Sequence, residues 1–181
     1  MDTLKITTQA ELDALPRPIN ANLDLRGWTD RDMDFWRATV KGYVDFRGAT
    51  VEGYVYFGGA TVGGDVDFGG ATVKGDVDFR EATVKGEKFR PLSERTALLE
   101  KVAQAALESP ESLDNSNWHT CATTHCIAGW AVHLADGGYE LEKRVGPRTA
   151  GLLLLGPAAA MHFSDSTGQA RQWLRQQPAR G

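Results

Sequence analysis

An eleven-residue repeat constrains the first half of this chain more than any other feature. From Ala38 it reads ATVKGYVDFRG, ATVEGYVYFGG, ATVGGDVDFGG and ATVKGDVDFRE, then a broken ATVKGEKF. Two looser copies lie upstream, at Asn22-Leu23-Asp24-Leu25-Arg26-Gly27 and Asp32-Met33-Asp34-Phe35. Within a copy the side chains alternate. Ala38, Val40, Gly42, Val44 and Phe46 share one face, and Thr39, Lys41, Tyr43, Asp45 and Arg47 share the other. That two-residue period belongs to extended chain with one side buried. The apolar positions carry residues suited to strands, and recurrent Gly and Thr-Val argue against a stable helix.

A short fixed period calls for a solenoid, because one copy cannot bury its apolar face except against its neighbours. Eleven residues are too few to close a coil around side chains, so two copies, about 22 residues, form one coil. The sequence therefore predicts about three coils of a short right-handed β-helix, stacked at a strand spacing of roughly 4.8 Å. Val and Phe form internal ladders, and the paired glycines sit at corners that need positive φ.

Runs of the Gly-Ala-Thr-Val-x-Gly-Asp-Val-x-Phe kind resemble the pentapeptide-repeat proteins and their longer-period relatives. The resemblance covers residues 22 to 87, although the spacing here alternates five and six. It implies a β-helix fold. Some members of that family act as mimics of duplex DNA, which raises the same option here.

The outward positions define two rows. Asp24, Asp34, Asp45, Tyr56, Asp67 and Asp78 lie between the inward Val and Phe; Asn22, Asp32, Tyr43, Tyr54, Asp65 and Asp76 precede the inward Val. Like charges at strand spacing repel. One explanation is solubility and protection of strand edges. The sharper one is a partner-binding surface made of Asp34, Tyr43, Asp45, Tyr54, Tyr56, Asp65, Asp67, Asp76 and Asp78, aimed at a host protein with a basic, nucleic-acid-binding surface. On that view, reversing the charges of Asp45, Asp67 and Asp78 together abolishes binding and leaves the fold intact. Arg47, Lys41, Lys74, Arg80 and Lys85 dilute the field.

Composition narrows the function classes. The 181 residues carry a net charge of −4, which excludes a general nucleic-acid binder, normally basic. No apolar run approaches the roughly 20 residues that span a bilayer. The leading MDTLKITTQAELDALPRP has no apolar targeting core, and two cysteines suit a reducing compartment. A cytoplasmic location is expected, with no membrane, no direct nucleic acid and no cofactor; a homodimer is compatible with the pattern.

The fold class expected is α+β: an N-terminal cap over residues 1–21, the β-helix over 22–90 and a small all-α domain over 91–181. Thr8 and Glu11 form a capping box for a short helix to Leu15. Trp28, Phe35 and Trp36 pack the solenoid's end. After the break at Lys88 and Pro91, Ser93 caps a helix from about Glu94 to Glu108, with Leu98, Leu99, Val102, Ala105 and Ala106 as its stripe. Thr123 or Thr124 caps an apolar helix to about Ala135, in which Gly129 marks a close crossing. Further helices are expected at about 147–155, 157–162 and 167–177, the last capped by Ser166 or Thr167. This half resembles a small helical module of bacterial and phage proteins with a Cys-Gly-Thr-x-x-Cys-x-Ala-Gly-Trp signature. Here it reads Cys121-Ala122-Thr123-Thr124-His125-Cys126-Ile127-Ala128-Gly129-Trp130. The resemblance covers about residues 93 to 177 and implies no activity.

Chemistry has one concentrated candidate. His119, Cys121, His125 and Cys126 crowd together, but zinc needs four converging ligands and adjacent helical residues diverge. His119, Cys121 and Cys126 are the weak metal alternative. Cys126 near a helix N-terminus would have a lowered pKa, and His119 or His125 could serve as its base. The competing account makes Cys126 and Trp130 core residues and His125 a surface residue near the cap. A binding protein without catalysis is the function expected, with a thiol- or zinc-dependent enzyme centred on Cys126 as the alternative.

Overall fold

The computed structural model describes residues 1–117, 119–121 and 124–177, with 119–121 described by backbone alone. The chain forms two compact units, Met1–Phe89 and Arg90–Gly181.

The first unit is a four-sided β-solenoid of about four turns. It opens with β1 (Thr3–Lys5), α1 (Gln9–Asp13) and β2 (Asn22–Asp24). Two-residue strands follow in strict order: β3 (Met33–Asp34), β4 (Thr39–Val40), β5 (Val44–Asp45), β6 (Thr50–Val51), β7 (Val55–Tyr56), β8 (Thr61–Val62), β9 (Val66–Asp67), β10 (Thr72–Val73), β11 (Val77–Asp78), β12 (Thr83–Val84) and β13 (Glu87–Lys88). Val44 pairs in parallel with Val66, Met33 with Val55, Thr50 with Thr72 and Thr39 with Thr61. Partners are thus 22 residues apart, two repeats per coil. The four faces are β1-β2-β5-β9, β6-β10, β3-β7-β11 and β4-β8-β12-β13; they are called faces 1 to 4 below, in the order the chain visits them from β5.

The interior follows the alternation. Phe35, Phe57 and Phe79 stack in one column with centroids 4.6 Å apart, and Phe46 stacks on Phe68 at 4.5 Å in another. The columns meet edge to face, as between Phe46 and Phe57 at 5.8 Å. Stacked and T-shaped rings suit the aromatic quadrupole.

The glycines have two duties, not the single one expected. Gly48, Gly59 and Gly70 do turn corners at positive φ. Gly75 instead sits where successive coils touch: a Cβ there would lie 2.6 Å from the Gly53 carbonyl oxygen.

The solenoid exceeds the three coils expected because the lead-in joins it. β1 pairs in parallel with β2, and Ile19 bridges Val40 as a repeat valine would. Thr8 caps α1 in a full capping box with Glu11. Gln9 then treats the edge of β3 as a strand would, its amide donating to the Asp34 carbonyl at 3.1 Å and accepting from the Asp34 N–H at 2.8 Å. This covers an edge that would otherwise invite pairing. Trp28 and Phe35 are buried; Trp36, expected in the end-packing, is exposed. At the other end β13 folds back antiparallel on β12 through Lys85 and Gly86, both at positive φ, the pattern of a tight hairpin turn.

The second unit is helical, with one departure from all-α. Its helices are α2 (Leu92–Leu107), α3 (Ile127–Leu134), α4 (Gly138–Val145), α5 (Pro147–Leu155), α6 (Pro157–Ala160) and α7 (Thr167–Leu174). Between α2 and α3 lie two short strands, β14 (His119–Cys121) and β15 (Thr124–His125), paired antiparallel. Thr124 is therefore in a strand and does not cap α3; Thr123 lies outside the described residues. The N-cap is Cys126. Pro91, not Ser93, precedes α2, with no side-chain cap. Along α2, Leu98, Val102 and Ala106 are buried, with Leu99 and Ala105 partly exposed. The close crossing of α3 falls at Ala128, where a Cβ on Gly151 of α5 would lie 2.5 Å from the Ala128 Cβ. α4 was not anticipated. α7 has the expected Ser166 cap, reciprocated by Gln169.

Candidate interaction surface

Because two repeats make one coil, alternate copies fall on opposite sides of the solenoid. The nine candidate residues therefore divide. Tyr43, Asp45, Asp65 and Asp67 belong to face 1 and its border, and Asp34, Tyr54, Tyr56, Asp76 and Asp78 to face 3.

The aspartate between the inward Val and Phe has a structural duty on both faces. Its Oδ1 accepts the backbone N–H two residues on: Arg26 to Asp24 at 3.1 Å, Trp36 to Asp34 at 2.7 Å, Arg47 to Asp45 at 2.9 Å, Gly69 to Asp67 at 2.9 Å and Arg80 to Asp78 at 2.9 Å. A side chain that closes a turn in this way competes well for the backbone.

Face 1 is neutralised along its length. Arg26 lies 2.7 Å from Asp24 and 3.7 Å from Asp45; Arg47 lies 2.7 Å from Asp45 and 3.8 Å from Asp67. The Arg26 hydrogen bonds hold the Asp24 carboxyl down at about 2. Burial pushes the Asp45 carboxyl up, yet the Arg47 hydrogen bonds and the two guanidinium charges outweigh it and leave the group below its ordinary range. Asp45 is only 5% exposed. Asp65 pairs with Lys85 at 2.7 Å. The Tyr43 hydroxyl shares a hydrogen bond with Thr3 at 3.1 Å. Reversing the charges of Asp45, Asp67 and Asp78 would thus break corners and ion pairs, contrary to the expectation of an intact fold.

Face 3 is different. Its outward lattice has Asp32, Asp34 and Trp36 on one coil, Tyr54, Tyr56 and Gly58 on the next, and Asp76, Asp78 and Arg80 on the third. The two tyrosine rings stack 5.8 Å apart and are flanked along the axis by aspartates on both sides. Tyr54, Tyr56 and Trp36 are 41%, 36% and 55% exposed. Arg80 pairs with Asp78 at 2.7 Å. Among the described residues no ion pair reaches Asp32, Asp34 or Asp76. Desolvation, and then the charges of Asp32, Tyr54, Asp34 and Asp78, push the Tyr56 phenol above its usual value. The Trp36 ring lies over Gly58, in space that a Cβ on Gly58 would fill. Asp32 and Trp36 were not among the nine candidates; the 22-residue register places them beside the tyrosines. Of the diluting cations, Lys74 pairs with Glu52 on face 2, and Lys41, Lys85 and Arg47 lie at other faces.

The thiol candidate reads as structural. Cys126 is buried, and its Sγ accepts the Gly129 N–H at 3.3 Å as the cap of α3. Burial pushes the thiol up despite the helix amides, the opposite of nucleophile activation. His125 is buried, not at the surface, edge-on to Trp130 at 4.7 Å and stacked on His133 at 5.0 Å. Trp130 donates to the Ser112 carbonyl at 2.7 Å. The side chains of His119 and Cys121 lie outside the described residues, and no cluster of three or more His, Cys, Asp or Glu able to hold a metal occurs among those described. A cleft of about 240 Å³ beside Cys126 is lined by Asn115, Asn117, Arg148 and Phe163. Asn115 is committed to the fold: it donates to the His162 and Asp165 carbonyls and accepts the Ile127 N–H.

Residues 35–83 match the family described as pentapeptide repeats (9 copies). Over those residues the solenoid is similar to pentapeptide repeats, in keeping with its β-helix architecture. No curated protein and no solved structure matches the chain. No helix among the described residues is long and apolar enough to cross a membrane.

Proposed function

We propose that this protein binds another protein without catalysis, through face 3 of its pentapeptide-repeat solenoid. The observation that carries the reading is the contrast between the two acidic faces. On face 1 arginines neutralise the aspartates, whereas face 3 presents an exposed tyrosine pair between aspartates that have no cation of their own at Asp32, Asp34 and Asp76. Aromatics are enriched at interface centres, and charge belongs to the polar rim around them. The sign of the charge selects a basic partner surface.

A surface shaped to hold nucleic acid is the basic surface such a face fits best. The specific form of the proposal is an inhibitor or adaptor of the kind carried by phages and mobile elements, which occupies the nucleic-acid-binding surface of a host protein. Anti-CRISPR or other anti-defence action and topoisomerase protection are instances. Comparative capture from host extract, with Asp65→Asn/Asp67→Asn as the face 1 control, tests it. The same protein retained by wild type and control, and lost by Tyr54→Thr/Tyr56→Thr/Asp76→Asn, is the result expected. Equal retention by all three rules out face 3.

A further inference from the structure

We propose that face 3 recognises arginine side chains in particular, with the Tyr54 and Tyr56 rings as stacking platforms and the flanking aspartates as acceptors for the guanidinium N–H groups. This deepens the docking reading above and rests on it.

The geometry favours a flat cation over a spherical one. Tyr54 and Tyr56 stack with their planes 22° apart. Register sets Asp34 and Asp78 on either side of Tyr56, one coil away each. Asp32, whose Oδ1 accepts the Tyr54 N–H at 2.7 Å, and Asp76 occupy the same relation to Tyr54. One coil is roughly 4.8 Å, so a group lying on a phenol ring has carboxylates at its edges. A guanidinium is planar, weakly hydrated and carries its donors in a fork around that edge. An ammonium is a strongly hydrated point charge. On an open surface the ion pair alone contributes little, so stacking decides between them.

The same chemistry is used within the molecule. The Arg37 guanidinium lies 5.7 Å over the Trp36 ring on this face. On the opposite side Arg47 forks onto Asp45, with Nε to Oδ1 at 2.9 Å and Nη2 to Oδ2 at 2.7 Å.

The test is calorimetric titration of the full chain at physiological salt with two peptides of one Gly/Ser frame, carrying three arginines or three lysines. The arginine peptide is expected to bind at least about fivefold more tightly. Tyr54→Thr/Tyr56→Thr, which keeps strand propensity, is expected to remove that preference while the circular-dichroism melt holds. Equal affinities in the wild type, or binding of neither peptide, overturn the arginine assignment. Undiminished arginine-peptide binding by Asp32→Asn/Asp34→Asn/Asp76→Asn, which keeps the corner-closing oxygens, overturns face 3 as the docking site itself.

Discussion

The Asp45 carboxylate accepts three hydrogen bonds from Arg47: the backbone N–H at 2.9 Å, Nε at 2.9 Å and Nη2 at 2.7 Å. Asp45 closes the turn and anchors the side chain that pairs onward to Asp67. Asp45→Ala leaves that N–H and a guanidinium without their acceptor and is expected to cost about 2 kcal/mol. Asp76→Ala, at an exposed position outside the ion pairs, is expected to stay within about 0.5 kcal/mol. Urea unfolding of the two variants checks the contrast, and equal losses would contradict it.

Acid should weaken the solenoid in a defined direction. Asp24, Asp45 and Asp78 have folded-state pKa values below their ordinary ones, Asp24 at about 2. Their stabilisation is complete above the unfolded carboxylate pKa of roughly 4 and disappears as pH falls toward the folded values. The melting temperature should therefore decline from about pH 4 toward pH 2. For Asp45→Asn the decline should be shallower.

The aromatic column gives a larger effect. Phe57 is fully buried between Phe35 and Phe79. Phe57→Ala should cost about 3–5 kcal/mol and broaden or abolish cooperative unfolding of the first unit. Retention of wild-type stability would mean the coils are not stacked on this column.

Glycine at position 75 answers to its neighbour's backbone. Gly75→Ala places a methyl 2.6 Å from the Gly53 carbonyl oxygen, an overpacking expected to cost about 1–3 kcal/mol. Gly58→Ala has the movable Trp36 ring as its nearest neighbour. It should shift tryptophan fluorescence with much less loss of stability.

Much of the solenoid was legible because its period is a property of the sequence. The Val/Phe alternation gave the buried face, and eleven residues, too short to close, gave two copies per coil. The same arithmetic sends alternate copies to opposite sides, so the division of the aspartates between faces was latent in it. The arginine neutralisation of face 1 was not, since it depends on how Arg26 and Arg47 reach between coils. β1 and Ile19 were missed because the lead-in lacks the repeat yet supplies the same backbone pairing. In the helical unit, sulfur capping by Cys126 was hidden behind better-known caps in Thr123 and Thr124. α4 was hidden behind the Gly137-Gly138 pair, because glycine commonly ends a helix; Gly137 sits at φ 69° and starts one there.

Protein binding through face 3 is tested most directly by site-specific photocrosslinking in the native host, with a benzophenone side chain at position 54 or, on the opposite face, position 43. A discrete crosslinked partner from position 54 and none from position 43 is the result predicted. Crosslinking from position 43 alone, or from neither, would contradict it.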